Sequence, residues 1–326
     1  MIIFFVMPEQ SLTNLLKNKF WNDLQEIAKK LCEMHHLKYE PSKEEPIRRW
    51  ISYVARLIEP KERFTYFSKG FWKRIPKECI PAVHLLADKF ENGENVNPYQ
   101  STTLKSHNFS EKKGLRTDLL WADWNIHHFH LSTSTFPEDK GFYPRSDYLL
   151  FAIVRGNYVY FLDVKLHKNK DCFSDPLFIR QIVESWPEMA EQHMINGIHP
   201  KEGFDANEIK SLRKNGVIPL ASFNGNVYMM GMGVSTAGTS GEDIFLFDTL
   251  LFEIKLLAKG LIDYWEKRKI QSNPNSISLI IKDDGLNLIC TEDGSFCNIK
   301  SHPLEQTNRF FNQLWLLNPS FKPNDR

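Results

Sequence analysis

Cysteine is scarce in this sequence, and neither sign of charge dominates it. The five cysteines are scattered over 326 residues and form no Cys-x-x-Cys pair, so neither a zinc ribbon nor a disulfide framework is indicated. Lysine and arginine total 41, aspartate and glutamate total 40, and the net charge is +1. The chain therefore lacks a global basic field that would recruit nucleic acid, and any such binding must depend on a local patch.

Long hydrophobic runs are also missing. The apolar opening Met1–Met7 lacks a basic start and ends at Pro8, so it is too short for a signal peptide or a membrane span. A short strand or a packed arm is the expected structure there. Unpaired thiols fit a reducing compartment, and we expect a cytoplasmic protein without a membrane partner.

Hydrophobic periodicity predicts an α+β protein with three regions. Residues 1–98 form a helical N-terminal region, residues 99–200 form a central antiparallel sheet with the functional site, and residues 201–326 form a mixed C-terminal region. The length suits such sub-domains. The main predicted helices cover about Ser11–His36, Lys43–Ile58, Pro81–Phe90, Asp243–Arg268 and Leu304–Leu317.

The stretch from Ile126 to His167 is the most informative part of the sequence. Aromatic and β-branched residues dominate it, and they favour strands. We predict three neighbouring strands, which cover Ile126–Ser132, Arg145–Val154 and Tyr158–His167. These strands carry four histidines, an arginine, a lysine and two aspartates, which is an unusual set for a strand meander.

A two-residue turn at Gly156-Asn157 sets the expected register of the last two strands. With that turn, Ser146 lies opposite His167. Because side chains alternate between the faces of a strand, Asp163 shares a polar face with His167, and this face fronts a cleft or solvent. Leu162 lies on the opposite, apolar face, which packs inward. A one-residue bulge would reverse this assignment.

Five side chains of the meander form the candidate catalytic set: His128, His130, Arg145, Lys165 and His167. His128 and His130 share one strand face, and the long side chain of Arg145 can reach the same patch. A ribonuclease without metal needs a base for the ribose 2′-hydroxyl, an acid for the leaving 5′-oxygen and cations for the phosphorane charge. Imidazoles and cations can fill those roles without a cofactor.

The order of these residues resembles RelE- and HigB-type toxin ribonucleases of the barnase–EndoU–colicin–RelE fold group. The resemblance covers about Leu115 to Lys170 and consists of a histidine-bearing strand, an arginine-led strand, a short turn and a strand that ends in a basic residue. It implies that Arg145, Lys165 and His167 contact the scissile phosphate. The chain is longer than a free toxin of that kind and less basic, which leaves ribosome dependence open.

A second pattern offers a different chemistry. Asp147 followed by Asp163-Val164-Lys165 resembles the PD-(D/E)xK nucleases, in which two carboxylates hold Mg²⁺ and the lysine stabilises charge or activates water. The two-residue turn argues against this pattern, because it places Asp147 on the face opposite Asp163. A three-residue turn would bring the two carboxylates onto one face.

Two further patterns are weaker. His127, His128 and His130 contain only two side chains on one face, so a metal site would need another ligand such as His167. The glycine-rich loop from Gly231 to Asp243 precedes a helix, where backbone N–H groups can bind phosphate. It lacks the lysine of a nucleotide-binding P-loop.

The sequence therefore predicts a nuclease, with a metal-independent ribonuclease favoured over a Mg²⁺-dependent one. The expected partners are RNA and, by analogy with toxins and phage-defence effectors, a protein antitoxin or defence partner. The competing hypothesis is a non-catalytic binding module in which the histidines are structural.

Overall fold

The structure is a computed structural model that describes residues 9–42, 44–106, 118–134, 141–169, 171–198, 203–235, 238–270, 273–282 and 285–298. The predicted arm Met1–Met7 and the predicted helix Leu304–Leu317 lie outside the described residues. Within those ranges, no helix has the length and apolar character needed to cross a membrane.

The described residues fold as an α+β protein, as predicted. The helices are α1 (Glu9–Met34), α2 (Pro46–Val54), α3 (Phe71–Arg74), α4 (Ile80–Glu91), α5 (Thr103–Ser106), α6 (Leu119–Trp124), α7 (Leu177–Ser185), α8 (Pro187–Glu191), α9 (Ala206–Lys214) and α10 (Gly241–Arg268). The strands are β1 (Phe64–Phe67), β2 (His127–His130), β3 (Tyr148–Arg155), β4 (Tyr158–Leu166), β5 (Met194–Ile195), β6 (Ala221–Phe223), β7 (Asn226–Tyr228), β8 (Ile277–Lys282), β9 (Gly285–Cys290) and β10 (Phe296–Asn298).

Two compact units divide the chain. One unit comprises Met1–Val54 with Asp243–Arg326, and the other comprises Ala55–Glu242. In the first unit α1 packs against α2 and β8, and the sheet order is β10-β9-β8. All candidate catalytic residues lie in the second unit. These units cut across the three regions expected from the sequence.

The central sheet of the second unit has the strand order β1-β4-β3-β2. Strands β2, β3 and β4 form the predicted antiparallel meander. Strand β1 joins β4 in parallel, so the sheet is mixed rather than purely antiparallel. Two parallel strands need a long connection between them. Here the connection from β1 to β4 contains α3, α4, α5 and α6, followed by β2 and β3.

The hairpin between β3 and β4 contains an extra residue that the sequence did not reveal. The predicted turn at Gly156-Asn157 is confirmed, because Arg155 pairs with Tyr158. The register then shifts, since Ala152 pairs with Phe161 and the next residue, Phe151, pairs with Asp163. Leu162 is therefore a β-bulge residue, and a bulge shifts the register of all later pairs by one residue.

The bulge changes the predicted positions at the far end of the hairpin. The prediction that Ser146 lies opposite His167 is wrong, because the backbone N–H of His167 donates to the carbonyl of Asp147 at 2.7 Å. Asp147 therefore lies on the same face as His167 and not on the opposite one. The sequence predicts that Leu162 and Val164 share one apolar face. In the structure Leu162 packs on the same side of the sheet as Phe151, and Val164 packs on the other side.

Both faces of the central sheet carry hydrophobic cores, whereas the sequence predicted one apolar and one polar face. On one face Phe129, Leu150 and Phe161 pack with α4. On the other face Leu149 and Phe151 pack with α6 and α7. The polar side chains of the candidate site therefore share a face with the core that packs against α6 and α7, and they occupy only part of that face.

The glycine-rich loop packs against the helix that precedes β2. Asp118 caps the N-terminus of α6, and Asn125 ends the helix with a φ of 57°. The N–H of Gly233 donates to the carbonyl of Ala122 at 2.8 Å. A side chain at Gly231 would overlap that carbonyl and lie 2.8 Å from the carbonyl carbon of Asp123. Close backbone approach, rather than phosphate binding, accounts for glycine at position 231.

We predict that Gly231→Ala lowers the free energy of unfolding by about 3 kcal/mol, because the added methyl group has only backbone atoms to displace. Urea denaturation measures the change. Gly216→Ala is the matched control, since a methyl group there meets no atom within 4 Å and only the φ of 72° opposes it. A loss at position 231 no larger than that at position 216 would contradict the close packing.

Candidate functional site

A histidine and an aspartate form the best-defined polar contact of the site. The Nδ1 atom of His128, on β2, lies 2.8 Å from Oδ2 of Asp118, and both side chains are largely buried. The other carboxylate oxygen of Asp118 accepts the backbone N–H groups of Leu120 and Trp121 at 3.0 and 3.3 Å. Because the helix cap fixes the carboxylate, the carboxylate in turn fixes the ring of His128. Its Nε2 atom is left to accept a proton.

The charge of Asp118 is stabilised by its surroundings. Burial alone would raise the pKa of this carboxyl group. The neighbouring His128 and Arg56 and the N–H of Trp121 outweigh that effect and hold the pKa of Asp118 below its usual range. Asp118 is therefore ionised at neutral pH, when it can stabilise a positive charge on His128.

His130 lies on the same strand face as His128, and it is more deeply buried. The backbone N–H of Ser146 donates to its Nδ1 atom at 3.4 Å, so the neutral ring carries its proton on Nε2. Burial, together with the nearby His128, His167 and Arg145, lowers the pKa of His130 to about 4. His130 is thus a neutral hydrogen-bond donor at pH 7.

His167 follows the end of β4 and is exposed. Its ring centroid lies 5.7 Å from that of His130 and 6.4 Å from that of Phe173. The Phe173 ring also contacts His128 edge to face at 5.1 Å. The structure therefore brings the three histidines of the predicted set together beside one phenylalanine.

The two predicted cations, Arg145 and Lys165, differ in their contacts. Arg145 is exposed, donates to Oγ1 of Thr102 at 2.9 Å and contributes to the low pKa of His130, so it borders the histidines. Lys165 shares their sheet face, but its ammonium group lies 2.7 Å from Asp175 and 3.4 Å from Asp163. The charge of Lys165 is therefore paired with these two carboxylates.

The register separates the two carboxylates of the predicted Mg²⁺ site. Asp163 lies opposite Phe151, whereas Asp147 lies opposite His167. The two rows are therefore four residues apart along this strand, or about 13 Å. Magnesium binds oxygen ligands at about 2.0–2.1 Å, so one ion cannot be shared across that separation. The bulge places both carboxylates on one face, but it does not bring them together.

His127 faces the opposite side of the sheet from His128. It is buried, its ring lies 6.2 Å from that of Phe129, and burial lowers its pKa to about 3. Its role is structural. In the described residues, no group of three or more histidine, cysteine, aspartate or glutamate side chains is arranged to hold a metal ion.

Three neighbours of the site were not found from the sequence. Asp118 orients His128, Phe173 lies between two histidines, and Nε2 of Gln181 donates to Asp163 at 3.1 Å. The apolar run after Asp118 could have identified a helix cap, but no sequence signal indicates which imidazole that cap contacts. Asp163 also lies 3.7 Å from Arg74, which places it in a charged cluster of its own.

A buried ion pair connects the helix of Asp118 with the loop of Phe173. The Nε atom of Arg213 lies 2.6 Å from Oδ2 of Asp123, and these side chains are 5% and 1% exposed. The same guanidinium donates to the carbonyl of Phe173 at 2.6 Å and to Oγ of Ser174 at 2.9 Å. Arg213 therefore joins α6 to the loop of Phe173. Removing one member of the pair would leave an unpaired buried charge, which is strongly destabilising.

We predict that His130 makes the protein less stable in mild acid. Because the folded pKa is about 4 and the unfolded value about 6.5, the unfolded state binds more protons in that range, and stability falls as pH falls from 6.5 towards 4. His130→Asn should remove on the order of 1–2 kcal/mol of the loss between pH 7 and pH 5. Urea denaturation at several pH values measures it, with exposed His36→Asn as control. An unchanged pH dependence in the His130 variant would refute the assignment.

The chain was compared with protein-family models, with characterised proteins and with solved structures, and none of them matches. The likeness to RelE- and HigB-type toxins and the likeness to PD-(D/E)xK nucleases therefore stay predictions from sequence motifs. Any functional conclusion must come from the site itself.

Proposed function

We propose that the protein is a metal-independent ribonuclease that cleaves RNA with the imidazoles of His128, His130 and His167. The observation that supports this most is the grouping of the three rings beside Phe173, with His128 fixed by the buried carboxylate of Asp118. Structural histidines need no such arrangement. A proton acceptor, a neutral donor and an exposed imidazole in one place are the parts of a general acid–base site.

In this proposal His128 is the general base. Its Nδ1 atom faces the Asp118 carboxylate 2.8 Å away, so Nε2 is the nitrogen that removes the proton from the ribose 2′-hydroxyl. The resulting oxygen attacks the adjacent phosphorus, and Asp118 stabilises the imidazolium that forms. Asp118 keeps the ring in the correct tautomer and does not take the proton itself.

The other groups act on the phosphate and the leaving group. The Nε2–H of His130 and the guanidinium of Arg145 stabilise the negative charge that develops on the phosphorane oxygens. The exposed His167 protonates the 5′-oxygen as its bond to phosphorus breaks. The products are a 2′,3′-cyclic phosphate and a free 5′-hydroxyl, so atoms and protons balance without a metal ion. Lys165 stabilises the fold beside this site and takes no part in the chemistry.

The biological role proposed with this activity is that of a toxin or a phage-defence effector, with RNA as substrate and a protein antitoxin or defence partner as regulator. This part rests on the likeness of the motifs between Leu115 and Lys170 to toxin ribonucleases. Growth arrest on expression, relieved by His128→Ala, is the behaviour that such a role requires.

The carboxylate of Asp118 provides the sharpest test of the mechanism. Asparagine caps helices as well as aspartate does, so Asp118→Asn should keep the start of α6, while the loss of the stabilised charge lowers the melting temperature; activity is therefore compared at a temperature at which both variants are folded. It removes the charge that orients His128, so we predict a loss of RNA cleavage of at least about 100-fold. Asp205→Asn, at the N-cap of α9, is the matched control and should keep full activity. Equal activity of both variants would exclude the Asp118–His128 pair from catalysis.

The products and the metal requirement separate the two nuclease hypotheses. We predict that cleavage persists in EDTA and leaves a 2′,3′-cyclic phosphate, because the attacking group is the ribose 2′-hydroxyl. Mass spectrometry of a short cleaved RNA identifies the termini. Activity that requires Mg²⁺ and yields a 5′-phosphate would contradict the proposal and favour Asp147, Asp163 and Lys165.

A further inference from the structure

A row of aromatic rings covers the free edge of the central sheet, at the opposite end of β4 from the histidines. This aromatic row consists of Phe64, Tyr66, Tyr158, Tyr160 and Trp186. Adjacent ring centroids lie 6.0 Å apart for Phe64 and Tyr158, 5.7 Å for Tyr66 and Tyr160, and 4.9 Å for Tyr160 and Trp186. The rings therefore form one continuous surface.

Three of these rings are exposed to an extent that is unusual for their size, and Tyr160 and Trp186 are half-buried. Phe64 is 65% exposed, and Tyr66 and Tyr158 are each 43% exposed. Strand pairing explains their alignment, since Phe64 pairs with Tyr158 and Tyr66 with Tyr160. Contiguous exposed apolar patches mark interaction sites more often than single exposed side chains do. The exposed aromatic faces therefore form a candidate binding surface.

Two clefts border the aromatic row. One has a volume of about 710 Å³ and is lined by Tyr158, Tyr160, Trp186 and Arg155, with Glu188 as its carboxylate. The other has a volume of about 630 Å³ and is lined by Phe64, Tyr66 and Arg63, with Glu62 and Glu91 as its carboxylates. Asn157, at the turn of the hairpin, lines both of them. A chain-like ligand can thus follow the rings from one cleft into the next.

The larger cleft holds one guanidinium, that of Arg155, and one carboxylate, that of Glu188. Nη1 of Arg155 lies 3.0 Å from Nε2 of His193, and within the described part of the chain Arg155 makes no ion pair with a carboxylate. An arginine placed against an imidazole instead of a carboxylate retains its positive charge for a ligand. Phosphate is the anion that a guanidinium binds best through two parallel N–H donors.

We propose that the aromatic row and the cleft of Arg155 bind single-stranded RNA, with bases stacked on the rings and a backbone phosphate at Arg155. Single-stranded nucleic acid is bound through aromatic platforms beside cations, and stacking of this kind tolerates any base. The proposal rests on the proposed ribonuclease function, because it supplies the substrate contacts that the histidine cluster lacks.

The position of the row also predicts a dependence on substrate length. Tyr160 pairs with Ile153 and His167 with Asp147, which are six residues apart, or roughly 20 Å along the strand. Several nucleotides of a single strand are needed to reach from one to the other. A dinucleotide can therefore occupy the histidine cluster, but it cannot reach the aromatic row at the same time.

Binding is measured by fluorescence anisotropy with a labelled ten-nucleotide RNA that carries 2′-O-methyl groups and so cannot be cleaved by 2′-hydroxyl attack. Tyr66→Ala and Tyr158→Ala should each weaken binding roughly 5- to 150-fold, the usual range for one stacked base. Tyr66→Phe and Tyr158→Phe keep the ring and should keep the affinity. Phe252→Ala, which is 58% exposed on α10, is the control and should bind like the wild type. Thermal unfolding confirms that each variant is folded.

Unchanged binding by folded Tyr66→Ala and Tyr158→Ala would overturn the proposal. So would the absence of RNA binding by the wild-type protein, including the case in which it self-associates through Tyr66 instead. Cleavage of a dinucleotide tests the histidines alone and should not respond to either alanine variant. Oligonucleotide binding without any cleavage would refute the ribonuclease function and leave the RNA-binding surface in place.

Discussion

The extra residue at Leu162 determines which side chains of the central sheet meet. In an unbulged hairpin with the same turn, His167 and Lys165 would lie on the face opposite His128 and His130. The bulge reverses the faces of the four β4 residues that follow it, so that Asp163 and Lys165, and His167 after them, lie on the same face as His128 and His130. The grouping of the imidazoles is thus a consequence of backbone geometry in one strand, at a position that carries no chemistry of its own.

Asp118 combines two functions that depend on each other. Its carboxylate accepts hydrogen bonds from the first free N–H groups of α6 and also contacts Nδ1 of His128. The start of the helix and the orientation of the ring are therefore set together. Arg213 and the tight contact at Gly231 fix the same helix from its other sides. Such support keeps a buried polar pair in one geometry, and a catalytic imidazole needs a fixed position.

Local sequence was sufficient to predict much of the central sheet, and long-range contacts decided the rest. The turn at Gly156-Asn157 followed from the positive φ angles that these residues tolerate, and the α+β class followed from hydrophobic periodicity. The bulge could not be predicted, because Leu162 fits either core and only packing selects its side. The contact between His128 and Asp118 joins residues on different elements, and no local pattern encodes it. The ion pair of Lys165 with Asp175 likewise joins two elements, and no local pattern predicts it.

The dependence of kcat/KM on pH for cleavage of a dinucleotide tests most directly whether imidazoles transfer the protons. We predict a bell-shaped profile in which His128→Ala loses the acidic limb and His167→Ala loses the alkaline limb, because each variant lacks one of the two groups. Lys165→Ala, if folded, should keep both limbs. A profile whose two limbs survive in both histidine variants would contradict the assignment of base and acid, and with it the ribonuclease mechanism.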